Sequence, residues 1–132
     1  MATGQKWTDV GQAFAIDQLD KNTAVVGTGF SYFGAWGAGA TTPAVTDTAL
    51  VSENAEARTS IPAGSITQPA TDIIRWVYII VATGTRTVQE TGIFSASTAG
   101  NMHIRIVHGS LALESGDQVT YTVNLQLKDV TE

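Results

Sequence analysis

The sequence contains no cysteine and few basic residues, and both absences narrow the possible functions. Without cysteine, neither a disulfide nor a zinc site with thiolate ligands can stabilise the protein. Twelve acidic residues against seven basic ones give a formal net charge of -5, and the basic residues form no cluster. Because a phosphate backbone is bound through grouped Lys and Arg side chains, we expect no nucleic-acid partner.

Long apolar runs are also absent. The longest, at residues 76–82, is far shorter than the roughly 20 residues that a membrane-spanning helix needs, so we expect no membrane partner. Residues 1–7 lack the apolar region of a signal peptide, which predicts synthesis in a cytoplasm without signal-directed export.

What the sequence does contain is a series of β-strand patterns in its C-terminal half. From residue 119 to residue 127 apolar and polar side chains alternate, so that one face of the strand is buried and the other is wet. Glycine turns at 83–84, 99–101 and 115–117 separate this strand from three earlier ones. Short strands divided by such turns predict an all-β fold, a single antiparallel β-sandwich that is jelly-roll-like or immunoglobulin-like.

The preceding segments complete the predicted organisation. Residues 73–82 are apolar on both faces, which predicts a central strand that is covered on both sides. Pro62, Gly64 and Pro69 confine the strand before it to an edge or a loop. Residues 1–21 are expected to form a short helix or an extended arm, and residues 22–132 the β-sandwich domain.

An uncharged, aromatic stretch lies between residues 22 and 46, where five glycines alternate with four aromatic residues. The aromatic residues are Phe30, Tyr32, Phe33 and Trp36. Aromatic side chains in such a loop need burial, either over one end of the sandwich or in a contact with another subunit. Both alternatives remain open, and we take these four residues as the candidate contact with a subunit, a partner or a sugar.

Residues that could support catalysis or bind a metal are sparse. A hydrolytic triad needs a histidine, and His103 and His108 are accompanied by no G-x-S-x-G turn. The two histidines lie on opposite faces of a predicted strand, and no acidic cluster has the spacing of a calcium loop. We therefore predict no enzymatic activity, no catalytic residue, no metal and no cofactor.

Glu90 is the acidic residue that most needs an explanation, because two large hydrophobic residues follow it closely in a predicted strand. A carboxylate near a core is strongly destabilising unless it is paired. We predict that Glu90 forms a structural ion pair with Arg58, which would join two non-adjacent strands.

Several short segments occur in a characteristic order across residues 24–127. They are Val26–Gly29, Thr41–Leu50, Glu53, Arg58, Glu90–Phe94, Met102, Arg105 and Gly116–Asp117. In this order and spacing, the chain resembles a diffuse family of tailed-bacteriophage virion proteins that includes tail, fibre-associated and head-decorating components. It departs from the family pattern by inserting residues 30–40, which we interpret as specific to a contact of this protein.

The resemblance implies a non-enzymatic β-sandwich on the surface of a virus particle, made in the host cytoplasm and located in the virion. The function expected first is capsid decoration, as a homo-oligomer, with a trimer as the expected state, bound to the major capsid protein. The alternative is a tail, baseplate or fibre-associated adaptor with a carbohydrate contact. A carbohydrate-binding or small-ligand-binding sandwich without a particle is supported only by the aromatic residues.

Overall fold

The computed structural model describes residues 32–127, which form seven β-strands and no α-helix. The strands are β1 (Tyr32–Gly37), β2 (Thr59–Ile61), β3 (Ile66–Ala70), β4 (Ile73–Val81), β5 (Arg86–Phe94), β6 (Met102–Leu113) and β7 (Gln118–Gln126). They build two antiparallel sheets, ordered β2-β1-β5-β6 and β3-β4-β7. The predicted all-β class, with two antiparallel sheets as in a β-sandwich, is confirmed. The predicted arm at residues 1–21 and Phe30 lie outside the described residues.

Contacts between Cα atoms group the described residues into two compact units. The first unit contains residues 62–77 and 122–127, and the second contains residues 32–61 and 78–121.

The first unit contains β3, the start of β4 and the end of β7. Ile66 of β3 pairs with Trp76 of β4, and both side chains are buried. Arg75 Nε donates a 2.8 Å hydrogen bond to Asn124 Oδ1 of β7. The strand β3 contains Pro69 and lies at an edge of its sheet, as the sequence predicted, because proline has no N–H to donate to a second neighbour.

The alternation predicted for β7 is confirmed over most of its length. Tyr121 and Val123 are buried, whereas Thr120, Thr122 and Asn124 are exposed. Leu125, which the alternation places on the buried face, is 39% exposed.

The prediction for β4 was wrong in one respect. Every second side chain of the strand is buried from Ile74 to Ile80, but Ile79 and Val81 are 45% and 46% exposed. Only one side of β4 is therefore fully covered among the described residues. β-Branched side chains fit the pleated backbone of a strand whether they are buried or exposed. Their presence on both faces therefore predicted a strand but did not show how much of it is buried.

The four-stranded sheet belongs to the second unit, and its two faces have different coverings. Because directly paired residues share a face, Gly34, Trp36, Thr91 and Ile93 lie on one side, which we call the inner face. The ring of Tyr78, from β4, packs against Gly34 on this side. Ala35, Gly37, Glu90, Gly92 and Arg105 lie on the opposite side, which we call the outer face.

A long connection, residues 38–58, joins β1 to β2 and contacts the outer face; we call it the strap. Connections longer than roughly 15 residues without regular structure are uncommon in compact domains and are usually functional or disordered. The strap is held to β1 by a backbone hydrogen bond from the Asn54 amide to the Trp36 carbonyl and by an isolated bridge between Gly37 and Glu53, and the Ala38 amide donates to the Ser52 carbonyl within the strap. Because an ordered connection of this length is usually functional, we take the contacts that hold the strap as the candidate site.

Candidate functional site

The aromatic residues of the uncharged stretch form a strand and not a loop. Tyr32 and Trp36 are 3% and 1% exposed in β1, which lies between β2 and β5, and Phe33 is half-buried. The prediction that Tyr32 and Trp36 form a contact loop is therefore corrected, because buried rings cannot stack on a sugar or a partner. Glycine at position 34 leaves room for the Tyr78 ring, which explains why aromatic and small residues alternate.

Glu90 is the centre of the outer face, with no exposed surface. Its Oε1 atom accepts hydrogen bonds from the Val51 amide at 2.9 Å and from Arg105 Nε at 3.0 Å. Its Oε2 atom accepts them from the amides of Gly39 at 2.7 Å and Ser52 at 2.9 Å. A carboxylate has about four acceptor positions, so this side chain is saturated by one arginine and three strap amides.

Arg105, from β6, continues the network. Its side chain is only 2% exposed, and its Nη1 atom lies 3.1 Å from Asp47 Oδ2 of the strap. Its Nη2 atom donates a 3.3 Å hydrogen bond to Thr41 Oγ1. The guanidinium thus joins a carboxylate of the sheet to a carboxylate of the strap, and charge-assisted bonds of this kind are stronger than neutral ones.

The predicted pair between Glu90 and Arg58 is wrong, because the partner of Glu90 is Arg105. In the hairpin of β5 and β6, Gly92 pairs with Arg105, which makes Arg105 a diagonal neighbour of Glu90 on the same face. Arg58 instead forms a two-pronged ion pair with Glu53, at 3.0 Å for each bond. Its guanidinium lies 3.6 Å from the centre of the Phe94 ring and donates to the carbonyls of Ala96 and Ala99.

A second carboxylate, Glu56, anchors the C-terminal end of the strap. It accepts hydrogen bonds from Trp36 Nε1 at 3.0 Å, from the amide and hydroxyl of Thr83 at 3.0 Å, and from Arg86 Nε at 2.9 Å. Burial opposes ionisation of Glu56, but these donors outweigh it and lower its pKa to about 2.

The other two carboxylates of the site also have lowered pKa values. Burial acts to raise the pKa of Glu90, but the amides of Ser52, Val51 and Gly39 together with Arg105 outweigh it. The hydrogen bond from the Ala44 amide lowers the pKa of Asp47, burial opposes this, and Arg105 lowers it further. All three carboxylates are therefore ionised at neutral pH.

A small apolar cluster lies beside the charged network. It consists of Ala35, Leu50 and Phe94, with Met102 packed against it. A Cβ atom at position 92 would lie 3.0 Å from Leu50 Cδ2, so glycine lets the strap approach the sheet closely. The strap therefore contacts the outer face in two ways. Leu50 packs in the apolar cluster, and the charged network joins Glu90 and Asp47 through Arg105.

The solvent side of the strap is pre-ordered and nearly free of charge. Asp47 closes a turn, because its amide bonds to the Ala44 carbonyl at 3.0 Å and its Oδ2 atom accepts from the Ala44 amide at 2.9 Å. Val45 in this turn is fully exposed, and Val51 is 56% exposed. A mostly polar cleft of about 140 Å³ lies between this turn and residues 102–105.

Neither histidine bonds to Glu90, but His103 lines the same cleft as Asp47 and Arg105. His103 is exposed and its ring meets the edge of Tyr32, and partial burial lowers its pKa. His108 Nε2 lies 3.0 Å from the hydroxyl of Tyr121. Within residues 32–127 no group of three or more His, Asp or Glu side chains could hold a metal ion, and no helix could span a membrane.

Sequence reasoning missed Arg105, Asp47 and Glu56 as partners at this site. The turn at 99–101 joins the strands of Glu90 and Arg105, but a hairpin centred on it would place Glu90 opposite residue 110, whereas the observed register pairs Gly92 with Arg105. The positions of Asp47 and Glu56 depend on an irregular connection and have no signal in the sequence.

No protein-family model matches the chain, and no curated protein matches it significantly.

Proposed function

We propose that the protein is a non-enzymatic structural protein of a tailed-phage virion, with capsid decoration as its first function and the major capsid protein as its partner. The observation that carries this proposal is the strap: a long connection, pinned by buried carboxylates, that displays an uncharged surface around Val45. A surface ordered before binding loses little conformational entropy on association, and the centres of interfaces are depleted in charge.

The segments that carry the resemblance to virion proteins support the same proposal. Glu90–Phe94 and Arg105 form the anchor on the sheet, and Thr41–Leu50 forms the middle of the strap. These segments of the resemblance therefore belong to one network of contacts. On a particle, many copies supply avidity, so each strap contact can be weak.

The proposed contact surface is the strap and not the aromatic strand. The burial of Tyr32 and Trp36 removes the support that these residues gave to a carbohydrate contact. The tail, baseplate or fibre adaptor stays in the proposal as the alternative location in the virion.

Co-sedimentation with purified capsids of the virus that encodes the chain tests the proposal. Wild-type protein should bind to a fixed number of copies per capsid, and Val45→Asp should weaken binding by about tenfold or more, because a charge would be buried in the contact. Ile79→Asp is the matched control, since Ile79 is exposed on β4 and lies outside the strap.

Two results would contradict the proposal. One is a protein that remains monomeric at high concentration in sedimentation velocity and binds neither capsids nor tails. The other is equal weakening by Val45→Asp and Ile79→Asp. Binding to tails alone, seen by negative staining, would replace the capsid location with the tail adaptor.

A further inference from the structure

The contacts that hold the strap differ in kind from those that hold the sheet beneath it. Residues 39–52 are attached through Glu90, Arg105 and Asp47, with Leu50 as their buried apolar side chain and one backbone hydrogen bond from the Ala38 amide to the Ser52 carbonyl. On the inner face, the Tyr78 hydroxyl bonds to Thr91 Oγ1 at 2.7 Å, and Thr91 in turn donates to the Ala35 carbonyl at 2.7 Å. These inner groups are neutral from acid to mildly alkaline solution.

We propose that the strap is an acid-releasable cover: loss of negative charge on Glu90 and Asp47 frees residues 39–52 while the four-stranded sheet stays folded. A protonated Glu90 has a hydroxyl in place of one acceptor oxygen, so it cannot accept from three amides and Arg105 at once. Arg105 would then keep its charge in a buried site with no carboxylate partner, which is unstable.

The charged groups around Glu90 support a local response. From β6 it faces Arg105, and from the strap it faces Asp47 through the same guanidinium. His103, also from β6, lines the cleft beside Asp47 and Arg105 and is the further titratable group near them. From β1 the neighbouring position is Gly37, which carries no charge. Glu53 and Arg58 are paired with each other next to Phe94, and they form a separate ion pair.

The end of the strap responds differently from its middle. Glu56 is held by Trp36, Thr83 and Arg86, and its pKa of about 2 keeps it charged at pH 3. Glu90 and Asp47 have lowered pKa values, so their contribution is present at neutral pH and is lost as the pH falls through those values. The end of the strap is also held by the backbone hydrogen bond from the Asn54 amide to the Trp36 carbonyl and by the bridge between Gly37 and Glu53, which do not depend on Glu90. Residues 39–52 should therefore leave the sheet while this end stays attached.

Release would uncover Ala35, Phe94 and Met102, which Leu50 now contacts within one cluster. The device would thus replace the surface of the strap by a sheet face in which this apolar cluster lies beside Glu90 and Arg105. The inference concerns the strap alone and stands independently of capsid binding.

Amide hydrogen exchange followed by NMR tests the proposal on the full chain. The protection factors of Gly39, Val51 and Ser52, whose amides donate to Glu90, should fall by about tenfold or more between pH 6 and pH 3. The amides of β5 should keep their protection over this range. Equal loss of protection in both groups, or no loss in either, would overturn the proposal.

Two variants make the same test at neutral pH. Glu90→Gln removes the charge at nearly constant size, and it should expose the three strap amides at pH 7 while β5 stays protected. Asp47→Asn removes one of the two carboxylates, so the strap should be released at a higher pH than in the wild-type protein. This variant keeps the proposal testable if Glu90→Gln does not fold. Glu114→Gln replaces an exposed carboxylate by a carboxamide and is the control, which should change the protection of neither the strap amides nor the β5 amides. An equal effect of Glu114→Gln would overturn the assignment to Glu90.

Discussion

On its inner face the four-stranded sheet meets the ring and hydroxyl of Tyr78, whereas on its outer face it meets the strap through Glu90 and Arg105. The inner contacts made by Tyr78 are apolar packing and a hydrogen bond between neutral groups, and Trp36 on the same face donates to the carboxylate of Glu56. The outer contacts depend on ionised carboxylates with all their acceptor positions occupied. The two faces of one sheet are thus covered by different mechanisms, and the stabilities of their contacts respond to pH in opposite directions.

The largest expected effect comes from Glu90→Ala, which removes the anchor of the outer face. It leaves Arg105 with one carboxylate fewer and deprives three strap amides of their acceptor, so we expect a loss of about 3–5 kcal/mol in the free energy of unfolding. Urea unfolding at pH 7 measures it. Glu114→Ala, at an exposed site, should cost less than about 0.5 kcal/mol. A similar cost for both variants would show that Glu90 contributes no more to stability than an exposed carboxylate does.

Gly92→Ala tests the close approach of strap and sheet on the outer face. The added Cβ would lie 3.0 Å from Leu50 Cδ2 and 3.2 Å from the Ile104 carbonyl oxygen, so we expect overpacking to cost about 1–3 kcal/mol. Thermal unfolding measures the change. Gly109→Ala is the control in β6, because nothing lies within 4 Å of its new Cβ. If Gly109→Ala lowered the stability as much as Gly92→Ala, the loss would come from replacing a glycine in a strand and not from crowding against the strap.

Tyr78→Phe tests the inner face. The variant removes the hydroxyl that bonds to Thr91 and should cost about 1 kcal/mol. Burial raises the pKa of Tyr78 to about 12, so the cost should be constant from pH 3 to pH 9, and the stability of the wild-type protein should fall as the pH rises above 10. A cost that changes between pH 3 and pH 7 would show that the inner face is also charge-dependent.

The smallest effect is expected at the turn between β5 and β6, which Arg58 holds beside the outer face. Ala99 has φ of 51°, a left-handed conformation that favours glycine. Ala99→Gly should stabilise the protein by about 0.5 kcal/mol, measured by urea unfolding. The same exchange at Ala112, in the extended strand β6, should destabilise it, and the opposite order would contradict this explanation.

The sequence predicted those parts of the fold that depend on local pattern. The alternation around Tyr121 and the glycine turns beside Gly84 and Gly116 predicted β7 and the boundaries of β5 and β6 closely. The same reasoning did not recognise β1, because its glycines were interpreted as a loop signal. In β1, Gly34 makes room for Tyr78, a non-local requirement that no pattern within the segment expresses.

The site was only partly predictable. The need of Glu90 for a partner followed from its neighbours in the sequence, and that expectation is confirmed by the ion pair with Arg105. The choice of partner required the register of β5 and β6, which places Gly92 opposite Arg105. Asp47 and Glu56 reach their partners across distances along the chain that no periodicity encodes.

The pH dependence of two costs measures the central difference between the faces most directly. The destabilisation caused by Glu90→Gln and by Tyr78→Phe should be determined by urea unfolding at pH 7 and at pH 3. We predict that the cost of Glu90→Gln is smaller at pH 3 than at pH 7, because the lowered pKa of Glu90 makes the contribution of its carboxylate fall as the pH decreases, while the cost of Tyr78→Phe stays the same. An undiminished cost of Glu90→Gln at pH 3 would contradict the claim that charge holds the strap.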